Sequence, residues 1–298
     1  MPSKHARRTG GGIAAPYLFL APALVLFVVF LALPIAYTIY LSTRRVQRSG
    51  LGLGKGSVRE VNAGLDNYAA ALSDASLWTS WLRVLLYGLI VLVLMLGLAL
   101  LFALMLDTAR VRLARFSRTS IFLPFAVPGV AAGLMWGFLY LPGTTPLKGV
   151  DFLSASTVLY SMANVAIWGG TGFNMLVLYT ALRAIPQELY EAARMDGASE
   201  VRIALQVKIP ILMPAIILTT VFSIIATVQV FTEPTVLRPL TNTIPSDFSP
   251  LTKIYTDAFV RGDLYSAAAT AIVVAGISLV LSFGFLRVVK RQAFGESS

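Results

Sequence analysis

Cysteine is absent from all 298 residues, which excludes a disulfide framework, a thiolate metal site and a redox-active thiol. The single histidine, His5, excludes a histidine-rich metal centre. Charge is scarce too. Only 13% of the residues are Asp, Glu, Lys or Arg, against roughly 25% in soluble domains. Apolar residues make up 57% of the chain and the mean hydropathy is +0.77. That balance excludes an ordinary soluble enzyme and points to an all-α membrane protein. A net charge of +10 would suit nucleic acid, but the basic residues gather at the ends of apolar runs. Lipid headgroups account for that placement, so membrane lipid is expected as a partner and nucleic acid is not.

Six apolar runs each reach the roughly 20 residues that cross a bilayer: about 17–41, 84–106, 119–141, 157–182, 209–231 and 266–288. They divide the chain into an N-terminal tail, 1–15, a transmembrane domain, 16–290, and a C-terminal tail, 291–298. Arg7-Arg8 resembles a twin-arginine or Sec signal, but the run that follows is too long for a signal core and lacks a small-residue cleavage site. It is read as an uncleaved first span, bent at Pro22 and Pro34. The polar stretch 42–83 ends near Trp78 and Trp81, expected as interfacial anchors. Within it GLGLGKGS, 50–57, has Ser49 where a P-loop needs its first Gly and Gly56 where it needs Ser or Thr. With no strand before it, nucleotide binding fails on context, and ATP hydrolysis by this chain is not expected. In the third run Gly129, Gly133 and Gly137 follow Pro124 and Pro128; glycines at that spacing serve close helix packing. Placing the N-terminus inside puts 14 Lys and Arg inside against 10 outside, so both termini are expected in the cytoplasm.

Between the fourth and fifth runs lies a charged insert, 187–210, QELYEAARMDGASEVRIALQVKIP. Its alanines favour helix, Gly197 interrupts it, and Ser199 with Glu200 can open a second helix. Pro210 falls where the next span begins, and its missing N–H costs little there. The residues Glu191, Ala192, Ala193, Gly197, Val207, Ile209 and Pro210 follow the pattern Glu-Ala-Ala, three residues, Gly, nine residues, Ile-x-Leu-Pro, with Val for Ile and Ile for Leu. This resembles the EAA loop of the membrane subunits of bacterial ABC importers. The stretches APYLFLAPALVLFVVFLALPIAYTIYLS, NAGLDNYAAAL and FSRTSIFLPFAVPGVAAGLMW are similar in order and spacing to the carbohydrate-type permeases for maltose, other oligosaccharides and glycerol-3-phosphate.

The resemblance implies a six-helix type I importer permease in a bacterial or archaeal cytoplasmic membrane. Its implied partners are a second permease, two ATPase subunits that bind ATP and Mg, and an external substrate-binding protein; no cofactor is implied in this chain. The loop 187–208 would be a cytoplasmic coupling helix, with Glu191 and Asp196 as charged groups, Ala192 and Ala193 allowing close approach, and Gly197 turning the chain. Relatives often carry a Gly-rich segment after span five. Here that outer loop, 233–264, is rich in Pro and Thr.

Polar side chains inside spans normally face protein or water. Asn164, Trp168 and Thr171 share a helix face with Asn174 nearby, and Gly169, Gly170 and Gly172 suggest a local break. In span five Thr220, Ser223 and Thr227 form a stripe and Gln229 lies on another face. Amides and hydroxyls beside an aromatic ring suit a sugar path; the same residues also serve interhelical hydrogen bonding. Alternatives to a sugar importer are a permease for another solute, with acidic path residues for polyamine or basic ones for phosphate, and an ATP-independent secondary transporter. No chain of embedded acids or bases favours the last.

Overall fold

Long helices follow from the apolar runs, because a spanning segment must satisfy every backbone polar group internally. The computed structural model describes residues 14–48, 58–108, 113–145 and 147–293. Arg7-Arg8 and His5, the GLGLGKGS stretch, Arg110 and Arg112, and residues 294–298 lie outside these.

The first span is α1, Ala14–Phe27, a π turn, Val28–Ala32, and α2, Leu33–Ser42. These form one span, Tyr17–Ser42, with Pro22 inside α1 and Pro34 in the first turn of α2. Proline lacks the N–H that reaches back four residues. At Pro34 the preceding π turn, where Leu33 N–H bonds Val28 O, has already shifted the spacing. Next comes a hairpin of β1, Arg44–Arg48, and β2, Val58–Asn62, paired antiparallel with Arg44 opposite Asn62. Asn67, on α3 (Asp66–Ser73), donates to Ser42 O at 2.8 Å and Arg44 O at 2.7 Å, fastening hairpin to helix.

Span two is the 32-residue α4, Ala75–Leu106, about 48 Å long at 1.5 Å per residue. It starts well before residue 84 because Asp74 caps it, accepting from Ser76 N–H at 2.8 Å. Trp78 stays half-exposed and donates to Leu72 O. Trp81 is buried beside Leu77 and Val274, a packing residue and not an interfacial anchor.

The third apolar run is broken. α5, Ala114–Phe122, and a 3-10 turn, Leu123–Ala126, meet α6, Gly129–Tyr140, at 97°. Val127 is driven extended by the proline after it, and Pro128 is extended as well, so the chain turns there. α7, Val158–Arg183, is continuous despite its glycines. Instead of breaking the helix, Gly172 lets the Ile121–Phe122 backbone approach, and Gly170 faces Met95. After α8, Gln187–Met195, and α9, Glu200–Ile203, a π turn, Ala204–Lys208, leads into α10, Ile209–Val228. α11, Thr232–Leu237, a 3-10 turn, Arg238–Leu240, α12, Pro250–Tyr255, a π turn, Thr256–Val260, and α13, Leu264–Ala293, complete the chain. Among the described residues five helices are long and apolar enough to span, or six with the bent pair counted as one.

α4 and α7 form the central pair. Small Ala99 and Ala103 pack with Met175, Leu178 and Leu212 at one end; Tyr87, Val91, Met162, Val230 and Leu237 pack at the other. The supposed outer loop 233–264 belongs to this second cluster, since Leu237, Ile244 and Phe248 are buried in it. The glycine stripe of α6 explains why. A Cβ on Gly133 would lie 3.0 Å from Val236, and one on Gly137 would lie 2.7 Å from Leu240. The stripe does serve packing, but its partner is the short α11 and not another full span.

One end of α4 is clamped by charge. Lys253 Nζ, buried, lies 2.7 Å from Asp74 Oδ2 and 2.9 Å from Asp257 Oδ2, and Arg261 Nη1 lies 2.7 Å from Asp257 Oδ1. Burial opposes ionisation of Asp74, but hydrogen bonds from Lys253 and Ser76 outweigh it and hold the carboxyl below its ordinary 3.8. Burial likewise opposes the charge of Lys253, and hydrogen bonds to Asp74 and Asp257 outweigh it and hold the ammonium above 10.5. The Asp74 contribution is therefore present above about pH 3.8 and fades as pH falls through its depressed folded value. The Lys253 contribution is full below about pH 10.5 and fades as pH rises through its raised folded value. Melting in detergent across that range should show a smaller alkaline loss for Lys253→Met and a smaller acid loss for Asp74→Asn. Limbs identical to the wild type would deny the clamp its role.

Candidate functional site

The charged insert folds as a helix, a glycine turn and a helix. α8 ends in a Schellman turn: Gly197 N–H bonds Arg194 O and Ala198 N–H bonds Ala193 O, each at 3.0 Å. Gly197 sits at φ +78°, in the left-handed region that costs glycine nothing. The four-residue step from Ala193 to Gly197 thus has a geometric origin. Ser199 caps α9 by accepting from Arg202 N–H, and Arg194 Nε bonds Glu200 Oε1 at 2.9 Å across the turn. Tyr190 and Ile203 are buried, and Ala193, Ala198 and Val207 pack partly beneath. Glu191, Ala192, Asp196, Gly197 and Pro210 are exposed and Ile209 is half-buried. Leu189, Met195, Val201 and Leu205 are exposed on the same insert, with Met195 at 89%. Apolar side chains projecting from a charged loop mark an interaction surface, for a protein or for the membrane.

This insert is tied to span two by a pair that sequence patterning did not single out. Lys208 Nζ lies 2.6 Å from Asp107 Oδ2, with the side chains 7% and 4% exposed. Asp107 is the C-cap of α4, where the helix dipole disfavours a carboxylate, so the lysine neutralises charge from two sources. The ammonium also lies 4.8 Å from the Tyr190 ring centre. Burial and the nearby Asp107 carboxylate push the Tyr190 phenol up, so it remains an uncharged ring there. The only signal in the sequence was a lysine and an aspartate 101 residues apart, each at the edge of an apolar run.

Away from the insert, midway along α4 and α7, a cavity of about 490 Å³ lies among these helices, the broken third span, α10 and the start of α11. It gathers Asn174, Ser223, Thr227 and Gln229 from the expected path residues. Asn174 Nδ2 donates to Gly170 O at 2.9 Å, Ser223 Oγ donates to Asn174 Oδ1 at 3.3 Å, and Thr227 Oγ1 donates to Ser223 O at 2.7 Å. The face shared by Asn164, Trp168 and Thr171 goes elsewhere. Asn164 donates to Tyr140 Oη at 2.9 Å and lines a separate cavity of about 380 Å³ with Trp136 and Tyr160. Trp168 meets Trp136 edge-on, and Thr171 donates to Ile167 O on its own helix. Thr220 does the same with Ile216 O. Helical spacing placed these three residues on one face, but neighbouring helices determined what each part of that face meets. The cavity also holds Glu233, which the sequence reading left in an outer loop. Its signal was the apolar spacing of Val236, Leu237 and Leu240, which makes the segment a helix against the glycine stripe. Among the described residues no cluster of His, Cys, Asp or Glu is arranged to hold a metal.

Comparison with known proteins adds identity to this geometry. Residues 67–294 match the family described as binding-protein-dependent transport system inner membrane component. The sn-glycerol-3-phosphate transport system permease protein UgpA of Agrobacterium fabrum is 31% identical over 94% of this chain and 96% of its own. The probable ABC transporter permease protein YurN of Bacillus subtilis is 31% identical over 90% of this chain and 93% of its own. A crystal structure of a bacterial ABC transporter involved in the import of the acidic polysaccharide alginate has a chain that superposes with a TM-score of 0.77. That match is 20% identical and covers 93% of this chain and 95% of the other. A second structure of an alginate ABC transporter, in complex with an alginate pentasaccharide-bound periplasmic protein, matches with the same TM-score at 21% identity.

Proposed function

Since this chain belongs to the binding-protein-dependent transport system inner membrane components, we propose that it passes a carbohydrate through the membrane under the drive of a separate ATPase. Its own part is translocation, without covalent chemistry. ATP and Mg are bound by the two ATPase subunits, a second permease completes the path, and an external binding protein delivers the solute. The observation that carries this reading is the insert 187–208. It exposes Glu191 beside bare apolar side chains while a buried ion pair anchors it to the end of α4. A rigid element joined without slack to spans at both ends can turn movement of a docked ATPase into movement of helices. The amide and hydroxyl groups of the central cavity support the carbohydrate, and the similar proteins named for glycerol phosphate and for the polysaccharide alginate also handle hydroxyl-rich molecules. With the insert in the cytoplasm, both termini lie there too. The exposed apolar length of the first span offers a surface for lipid or the second permease.

Co-purification from native membranes, followed by ATPase assay with candidate sugars and the binding protein, tests this. A second permease and an ATPase should accompany the chain, and one loaded binding protein should stimulate turnover. A chain that purifies alone and transports without ATP overturns the proposal. Glu191→Ala should leave the complex assembled but separate ATP turnover from uptake. Normal uptake by that variant would remove Glu191 from the coupling contact.

A further inference from the structure

Glu233 brings a carboxylate into a cavity whose other polar lining consists of amides, hydroxyls and a phenol. Asn174, Ser223, Thr227 and Gln229 share the space with it, and none of the lining residues is Lys, Arg or His. A half-buried carboxylate accepts hydrogen bonds at two oxygens, and adjacent sugar hydroxyls supply donors at that spacing. The amides and hydroxyls around it both donate and accept, again the complement of a hydroxyl-rich molecule. An anion meets the opposite field. At an effective dielectric constant of about 20, a unit negative charge about 6 Å from the carboxylate is disfavoured about a hundredfold.

Resting on the importer reading above, we propose that this cavity admits uncharged, hydroxyl-rich solutes and repels anionic ones, with Glu233 as the residue that sets the selectivity; one carboxylate among amides and hydroxyls falls short of the acidic lining that a polyamine path calls for. That would separate the chain from similar proteins named for glycerol phosphate and for an acidic polysaccharide. The inference concerns the passage through this chain and not the choice made by a binding protein. It therefore needs a probe that bypasses delivery.

The absence of cysteine supplies one. Gln229→Cys and Ala226→Cys, both exposed in the cavity lining, each place a single thiol near Glu233. In membranes holding the complete transporter, the labelling of this chain is followed by mass with three methanethiosulfonates: trimethylammonium-ethyl, sulfonatoethyl and neutral methyl. The cationic reagent should outpace the anionic one, and adding Glu233→Gln should shrink that ratio at least about tenfold. The neutral reagent should keep its rate. A ratio unchanged by Glu233→Gln at both thiols overturns the proposal. So does a neutral-reagent rate that changes as much as the charged ones, since access and not charge would then be the cause. A transporter whose ATPase still answers its loaded binding protein while the ratio stays fixed loses only the charge assignment. A transporter that never couples to ATP loses the importer reading, whatever its labelling ratio.

Discussion

Lys208→Met is expected to destabilise the folded chain by about 3–5 kcal/mol, because it leaves the Asp107 carboxylate buried and unpaired. The magnitude follows from the burial of both partners, with side chains 7% and 4% exposed, and from their 2.6 Å contact. An exposed pair of the same geometry would be worth less than about 1 kcal/mol. Asp107 also caps the negative end of the 32-residue α4, so the unpaired carboxylate faces the helix dipole as well. Asp107→Leu combined with Lys208→Met should recover most of the loss, because apolar side chains of similar volume need no solvation. The check is thermal unfolding in detergent, wild type against both single variants and the double. Single variants that melt with the wild type would show that the pair is solvated and holds nothing. Recovery of stability in the double variant without recovery of ATPase stimulation would assign the pair a coupling role as well as a structural one.

Gly172→Ala is the second large effect. The added Cβ would lie 2.1 Å from the Ile121 carbonyl oxygen and 2.7 Å from Phe122 Cα. Both are backbone atoms, so no side chain can rotate away and α7 must part from the end of α5. Overpacking of this kind costs about 1–3 kcal/mol where side chains yield, and more is expected where only backbone is met. Gly169→Ala is the internal control: its Cβ meets nothing within 4 Å, and the same helix should gain up to about 1 kcal/mol of propensity. The yield of monodisperse protein and its melting temperature separate the two. Equal behaviour of the variants would mean that α7 and α5 are not in close contact.

The motif residues of the insert were legible because their constraint is local. The turn needs a positive-φ glycine four residues after Ala193, the second helix needs a cap at Ser199, and both requirements act within a few residues of chain. The broken third span carried its cause in plain view, Pro124 and Pro128, yet an unbroken apolar run hid it, since hydropathy measures length and not direction. Trp81 was misplaced for a related reason. An aromatic near the end of an apolar run fits an interface, and only the Asp74 cap shows that α4 starts earlier and carries Trp81 inward.

By itself the sequence determined the class of protein, the number of apolar runs and the helix-turn-helix insert. These depend on composition and on spacings shorter than a few helical turns, which adjacent residues specify. The tertiary structure alone decided which polar residues share a cavity and which charges are paired. Asp107 meets Lys208, Asp74 meets Lys253 and Asn174 meets Ser223 across gaps of 49 to 179 residues, the last figure being 253 less 74. It also decided that residues after span five return to the core as α11, where the glycine face of α6 lets Val236 and Leu237 approach closer than a Cβ would allow. Helical periodicity specifies a face; the neighbour packed against it determines whether that face meets lipid, another helix or the solute.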